Sequence, residues 1–262
     1  MTTRTQATPT RSWPDDALLL VAHGAVRFAD AGRLLHAHAA VLRAQGRFAE
    51  VAVGLLNGRP AAVEALAGLA PNMVHVVPFF MEQGWFVREA IPRALGDGQG
   101  HALRYHQPVG LHPGMADLAA ARVRHACGTD AARIAVLLVG HGSARAPGRP
   151  MALHRHVAAL SAAGHFSQVR AAFLAEPPMV VDALRDWRGL PVAVVGWFAG
   201  EGGHVREDLP ALLAAEQAAR SDAGASLLDL GVISDDRGMP CIMLDQVAGG
   251  IPSPAAAGEG LG

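Results

Sequence analysis

The chain has 262 residues, 51% of them hydrophobic and 17% charged, which is enough apolar material for two buried cores of domain size. A formal net charge of -1 gives no overall attraction to nucleic acid or to an anionic membrane surface, and no apolar run is long enough to span a bilayer. Cys127 and Cys241 stand outside any CxxC pattern, which argues against a disulfide framework or a thiolate zinc site and fits free thiols in a reducing, cytoplasmic compartment.

Residues 1–15, rich in Thr and Arg but without an apolar h-region, read as a disordered leader rather than a signal peptide. The apolar run 17–22 then suits a buried parallel strand and ends in His23-Gly24. Helical spacing of Leu, Ala and Val over 30–44 predicts a helix, with Gly46 placed for its C-cap. A second strand follows over 50–56, then a helix start at Pro60-Ala61-Ala62-Val63-Glu64 with proline in the first turn. A third strand, Met73 to Val77, leads through a loop to Val87-Arg88-Glu89 and another helix start at Pro92. The connector that follows carries His101, His106, His112 and His125, which are expected to be solvated.

The same order then recurs. Strand 134–139 leads into His141-Gly142, helix 150–163 ends before Gly164, strand 168–174 precedes Pro178-Met179-Val180-Val181-Asp182, and strand Val192–Val195 precedes Val205-Arg206-Glu207 and Pro210. One ungapped offset, that from His23 to His141, also lays Gly84 on Gly202 and Pro92 on Pro210. A single register held over some seventy residues marks a duplicated unit of domain size. The expected fold is α/β: two tandem doubly wound parallel-sheet lobes related by internal duplication, with right-handed crossovers. The N-terminal lobe is assigned to 16–113, the C-terminal lobe to 114–247, and a flexible tail rich in Gly, Ala, Pro and Ser to 248–262.

In such folds ligands bind outside the carboxyl ends of the strands, and there the two halves differ. At the fixed offset His204 corresponds to Phe86, Glu176 to Gly58, Asp208 to Ala90 and Ser143 to Ala25. His141, Glu176 and His204, each just beyond a predicted strand, have only His23 as a counterpart in the first half. The second half therefore reads as the working lobe and the first as a retained scaffold. The plainer alternatives are a strand-end histidine bonded to backbone and turn chemistry at Glu176-Pro177-Pro178. His36, His38, His154 and His156 form i, i+2 pairs that cannot chelate easily from a helix, and they are expected at helix surfaces or as contacts between lobes.

Three segments carry a resemblance: His141-Gly142-Ser143, Phe173-Leu174-Ala175-Glu176-Pro177-Pro178, and Gly202-Gly203-His204-Val205-Arg206-Glu207-Asp208-Leu209-Pro210. Together they resemble the class II tetrapyrrole chelatases, the sirohydrochlorin cobaltochelatase and ferrochelatase group, over most of the chain. The resemblance implies two tandem chelatase-like lobes that insert a divalent metal into sirohydrochlorin or a related reduced tetrapyrrole, in cobalamin or siroheme biosynthesis. It implies His141, Glu176 and His204 as metal ligands, with His141 and His204 also accepting protons. The metal, Co²⁺, Fe²⁺ or Ni²⁺, is a substrate, and no organic cofactor is expected. Imidazole suits these ions and is neutral and basic at cellular pH, and a carboxylate adds charge without the tight grip of thiolate.

The tetrapyrrole is the expected partner, together with neighbouring enzymes of its pathway. Its carboxylate arms call for Arg145 and Ser143 after the His-Gly turn, with Arg27, Arg88, Arg149 and Arg206 as further candidates. Trp85, Phe86, Trp197 and Phe198 either flank the flat ring or belong to the core. The segment Gly196-Trp197-Phe198-Ala199-Gly200-Glu201 departs from the family's usual proline before a Phe-Leu element. Of the other classes, a noncatalytic metal or tetrapyrrole carrier would need no general base, and a phosphate-binding enzyme would need the GxxxxGK[ST] loop this chain lacks.

Overall fold

The computed structural model describes residues 11–24, 32–143, 151–200, 202–220 and 225–249. The chain divides into two compact units, Met1–His112 with Arg237–Gly262, and Pro113–Asp236.

The first unit holds a four-stranded parallel sheet in the order β2-β1-β3-β4, from β1 (Trp13–Ala22), β2 (Phe48–Leu55), β3 (Met73–Pro78) and β4 (Ala102–Tyr105). Parallel neighbours require crossovers, and these run through α1 (Arg33–Ala44), α2 (Ala62–Ala67) and α3 (Ile91–Leu95). The second unit opens with α4 (Gly114–Cys127) and repeats the sheet as β6-β5-β7-β8, from β5 (Ala135–Gly140), β6 (Gln168–Phe173), β7 (Val192–Gly196) and β8 (Leu227–Val232). Its crossovers are α5 (Met151–Ala163), α6 (Val180–Asp186) and α7 (Leu209–Arg220).

The central strands fold as they do because they are apolar on both faces. Leu18 to Val21 of β1 and Val136 to Val139 of β5 are all 0% exposed, and each such side chain is stabilised by about 1.5–3 kcal/mol on leaving water. Around each central strand the order reverses, with β1 between β2 and β3, and β5 between β6 and β7. The carboxyl end of such a strand is the switch point where ligands bind in this class of fold.

The duplication extends to backbone detail. The bridges Leu55↔Ala61 and Phe173↔Met179, the cis bonds Arg59-Pro60 and Pro177-Pro178, and the π-helices Phe86–Ala90 and His204–Asp208 all fall at matched positions. Pro60 and Pro178 lie just before α2 and α6 instead of in their first turns. Their carbonyls accept from the Leu55 and Phe173 N–H groups at 2.9 Å, which keeps the next residue extended and delays the helix.

The ends differ from expectation. β1 begins at Trp13, within the segment read as a leader, because Trp13 stacks on Phe48 at 4.9 Å and its N–H reaches the Arg47 carbonyl. The rest of that segment, residues 1–10, and residues 250–262 of the tail lie outside the described residues. The helix α8 (Met239–Gly249), assigned from sequence to the C-terminal lobe, belongs to the first unit. Its Met239, Ile242, Met243, Leu244 and Val247 are buried there, and the Gln246 side-chain amide donates to the Gln107 and Pro108 carbonyls at 3.0 Å. α4 is fixed in the second unit by Arg122, which donates to the Leu230 and Val232 carbonyls and pairs with Asp236 at 3.2 Å. Among the described residues no helix is long and apolar enough to cross a membrane.

Several histidines are also buried where solvation or surface placement was expected. His38 and His156 are the inward members of their i, i+2 pairs, beside Phe79 and Trp197, while His36 and His154 are exposed. His106 is 1% exposed and bonded to His75 at 2.9 Å, and His75 reaches Asp16 at 3.0 Å.

Candidate active site

The second unit brings His141 and Glu176 together at its switch point. His141 directly follows β5. Its Nδ1 lies 2.8 Å from the Gly142 carbonyl, an acceptor only, so Nδ1 donates and the neutral ring carries its lone pair on Nε2. The His141 carbonyl in turn accepts from the Ala175 N–H at 2.9 Å, tying this turn to the exit of β6.

Gly142 makes the approach possible. It holds φ +72, and a Cβ there would lie 2.7 Å from Glu176 Cγ and 2.8 Å from Phe173 Cβ. The Glu176 side chain, buried to 2% exposure, is thus packed against Gly142. A carboxylate is costly to bury, and this one sits beside the turn that carries His141, at the carboxyl end of the sheet, where a cation could be held. Ser143 follows, half-buried.

His204 lies on the third segment of the expected set. It begins the π-helix that follows the β7 exit, a helix type found frequently at functional sites, and Asp208 closes it. The side chain of His204, and the whole of Arg145, Arg149 and Arg27, lie outside the described residues. Among the described residues no group of three His, Cys, Asp or Glu gathers in metal-binding geometry.

The first unit shows what the same frame does with other side chains. His23 Nδ1 donates to the Gly24 carbonyl at 2.7 Å, and Gly24 holds φ +71. Here, however, the Asn57 amide lies 3.4 Å from His23 Nε2, and the Phe86 ring stands edge-on to the imidazole at 4.4 Å. Asn57 corresponds to Ala175, and Phe86 to His204. The aromatic candidates likewise divide: Trp197 and Phe198 are buried core, whereas Trp85 and Phe86 are 57% and 36% exposed.

Sequence reasoning missed the role of Gly142, although a His-Gly repeated after matched strands already signals a turn that only glycine permits. It also missed the Asp16–His75–His106 chain, whose one visible trace is a histidine inside the apolar strand Met73-Val74-His75-Val76-Val77.

Two duplicated parallel sheets, with a histidine turn packed on a buried carboxylate at one switch point, define a two-lobed α/β protein with a chelatase-like fold. The chain belongs to the CbiX family, which it matches twice, over residues 17–126 and 135–249. It is similar to a probable sirohydrochlorin cobaltochelatase of Halobacterium salinarum, at 27% identity over 219 residues, 74% of this chain and 75% of that protein. The structure resembles CbiX, the terminal enzyme for siroheme biosynthesis in denitrifying bacteria, with a TM-score of 0.68 and 25% identity over 89% of this chain and 98% of that one. It also resembles DR2241 of Deinococcus radiodurans, a multi-domain protein with similarity to chelatases and two additional domains. There the TM-score is 0.79 and the identity 27%, over 92% of this chain but 56% of that longer one.

Proposed function

We propose that this chain inserts a divalent metal, cobalt or iron, into sirohydrochlorin or a closely related reduced tetrapyrrole, as a cytoplasmic step toward cobalamin or siroheme. The observation that carries this reading is the contact of the His141-Gly142 turn with buried Glu176 at the second unit's switch point. The names borne by the Halobacterium relative and by CbiX support the substrate.

In this reading His141, Glu176 and His204 hold the incoming ion. Three mixed N/O ligands leave coordination positions open for the ring nitrogens and bind less tightly than thiolates, as a site that must release its metal requires. The equivalence of His204 with Phe86 supports its inclusion, since Phe86 reaches to 4.4 Å from its own unit's histidine. As M²⁺ enters the free-base ring, two pyrrole N–H bonds break, four ring nitrogens replace the ion's other ligands, and two protons leave. His141 and His204 accept them, because a neutral imidazole carries a lone pair at cellular pH. Ser143 and Arg145 meet the carboxylate arms of the substrate.

The test is an anaerobic absorbance assay with sirohydrochlorin and Co²⁺, Fe²⁺ or Ni²⁺ in turn, since metal insertion changes the tetrapyrrole spectrum. The expected result is enzyme-dependent turnover that falls at least about a hundredfold in His204→Ala, with its thermal transition retained. Stoichiometric binding without turnover would identify a metal or tetrapyrrole carrier instead, and full turnover in His204→Ala would remove that histidine from the site.

A further inference from the structure

The start of α5 carries a side chain that packing does not explain. Met151, the first residue of that helix, is 61% exposed, more than any other large hydrophobic side chain among the described residues. Every other described methionine is buried or half-buried. His154, also exposed, lies one helical turn on, and residues at i and i+3 share a helix face with their Cβ atoms about 5–6 Å apart. A thioether and an imidazole therefore stand together on one exposed face.

That face belongs to the ligand edge of the second unit. The His154 ring stands edge-on to that of Phe173, the last residue of β6, at 5.7 Å. A Cβ on Gly142 would lie 2.8 Å from Phe173 Cβ and 2.7 Å from Glu176 Cγ, so one phenyl side chain separates His154 from the buried carboxylate. The first unit again supplies the control, because at the fixed offset Met151 corresponds to Arg33 and His154 to His36. A guanidinium repels a cation and has no lone pair to offer it. Of the two units, the one with Glu176 is therefore the one with the donor pair.

We infer that Met151 and His154 form an entry site that takes a divalent transition-metal ion from solvent before it reaches the carboxylate. Imidazole and thioether are borderline and soft donors, which favour late first-row ions over Mg²⁺ and Ca²⁺. Two donors leave most of the ion's waters in place, and the positive end of the α5 dipole opposes the cation, so the site holds its ion loosely. Loose but selective capture suits a handover. A carboxylate by itself accepts Mg²⁺, and the entry pair screens that ion out. The inference rests on the proposed chelatase reading for the ion's onward transfer, whereas capture itself does not depend on turnover.

The experiment adds Co²⁺ to the full chain with its methionine methyl groups and histidine rings isotope-labelled, follows paramagnetic broadening by NMR, and measures metal insertion separately. In a His141→Ala background, which removes a ligand of the inner site, Co²⁺ should broaden Met151 and His154 first, and excess Mg²⁺ should not reverse the effect. His36 should need at least about tenfold more Co²⁺, since Arg33 stands where its thioether partner would be. In an otherwise wild-type chain, His154→Ala should raise KM for the metal about tenfold, with kcat and KM for the ring unchanged. Met151→Leu, which conserves volume, should raise KM for the metal about threefold. Both side chains are exposed, so the thermal transition should stay in place. Absence of selective broadening, or an unaltered KM for the metal in both variants of a chain that inserts it, would overturn the entry site without touching the chelatase reading. Selective broadening in a chain that inserts no metal would uphold the site and overturn the chelatase reading.

Discussion

The turns after β1 and β5 share one backbone and differ in what surrounds it. Each follows a central strand buried over its last six residues, each bends through a positive-φ glycine, and each histidine donates from Nδ1 to that glycine's carbonyl. Beside the turn that carries His141 stands a buried carboxylate, and a histidine-headed π-helix follows the exit of β7. Around His23 stand an amide and a phenyl ring. The backbone is therefore a holder that presents an imidazole at a switch point, and its neighbours differ between the two units.

The comparison can be broken at its glycines. A Cβ on residue 142 needs an L-residue at φ +72, which costs about 1–2 kcal/mol, and it must also displace Glu176. A shift of about 1 Å in a positioned group can cost about a hundredfold in rate, so Gly142→Ala should lower metal insertion by at least about tenfold. Gly24→Ala meets the Asn57 carbonyl and should destabilise its unit comparably, yet spare insertion below the thermal transition. Measuring insertion rate and melting temperature for both variants separates site from scaffold. Equal loss of insertion in the two would mean that both turns contribute to the chemistry.

The units also differ in how they answer acid. Burial, reinforced by the nearby charges of His75 and Arg104, holds His106 down to about 4, and burial lowers His75 as well, against the pull of Asp16. Both rings are held below the ordinary imidazole range in the fold but charge near 6.5 when unfolded, so the unfolded chain binds more protons between about pH 6.5 and 4, the window set by His106. Stability of the first unit should be complete above that window and fall as pH drops through it, by about 3 kcal/mol from His106. The second unit has Ala193 at the position of His75 and should not share the loss. Hydrogen exchange at pH 7 and pH 4.5 checks this, with β1, β3 and α8 opening before β5 and β7. Replacement of His106 by Gln should flatten the dependence.

Much of this was legible in the sequence because parallel strands buried on both faces must be continuous apolar runs, and 17–22 and 134–139 are such runs. The elements not foreseen have mixed patterns. β4 and β8 are short outer strands with several exposed or half-buried residues, and their sequences carry neither a clean alternation nor an apolar run. The position of α8 was hidden for another reason. Met239-Pro240-Cys241-Ile242-Met243-Leu244 signals burial, but nothing local says against which sheet, and continuity with the second half pointed the wrong way. His106 was misplaced because its solvation depends on His75, a partner distant in sequence. The candidate site residues could be proposed because duplication supplies an internal control: two copies of one frame make Glu176 and His204 stand out against Gly58 and Phe86.

The smallest expected effect belongs to His23. Its Nε2 lies 3.4 Å from the Asn57 amide and the Phe86 ring stands at 4.4 Å, so the imidazole is engaged by neighbours of its own unit that His141 does not have in those positions. His23→Ala should change insertion by less than about threefold, well below a lost general base or metal ligand, which typically costs about a hundredfold or more. Any change should follow Phe86, whose ring loses one packing neighbour, and should appear as a small shift of the thermal transition. A collapse of kcat with normal KM would instead place the first unit's histidine in the chemical step, and the distinction between holder and working site would have to be drawn elsewhere.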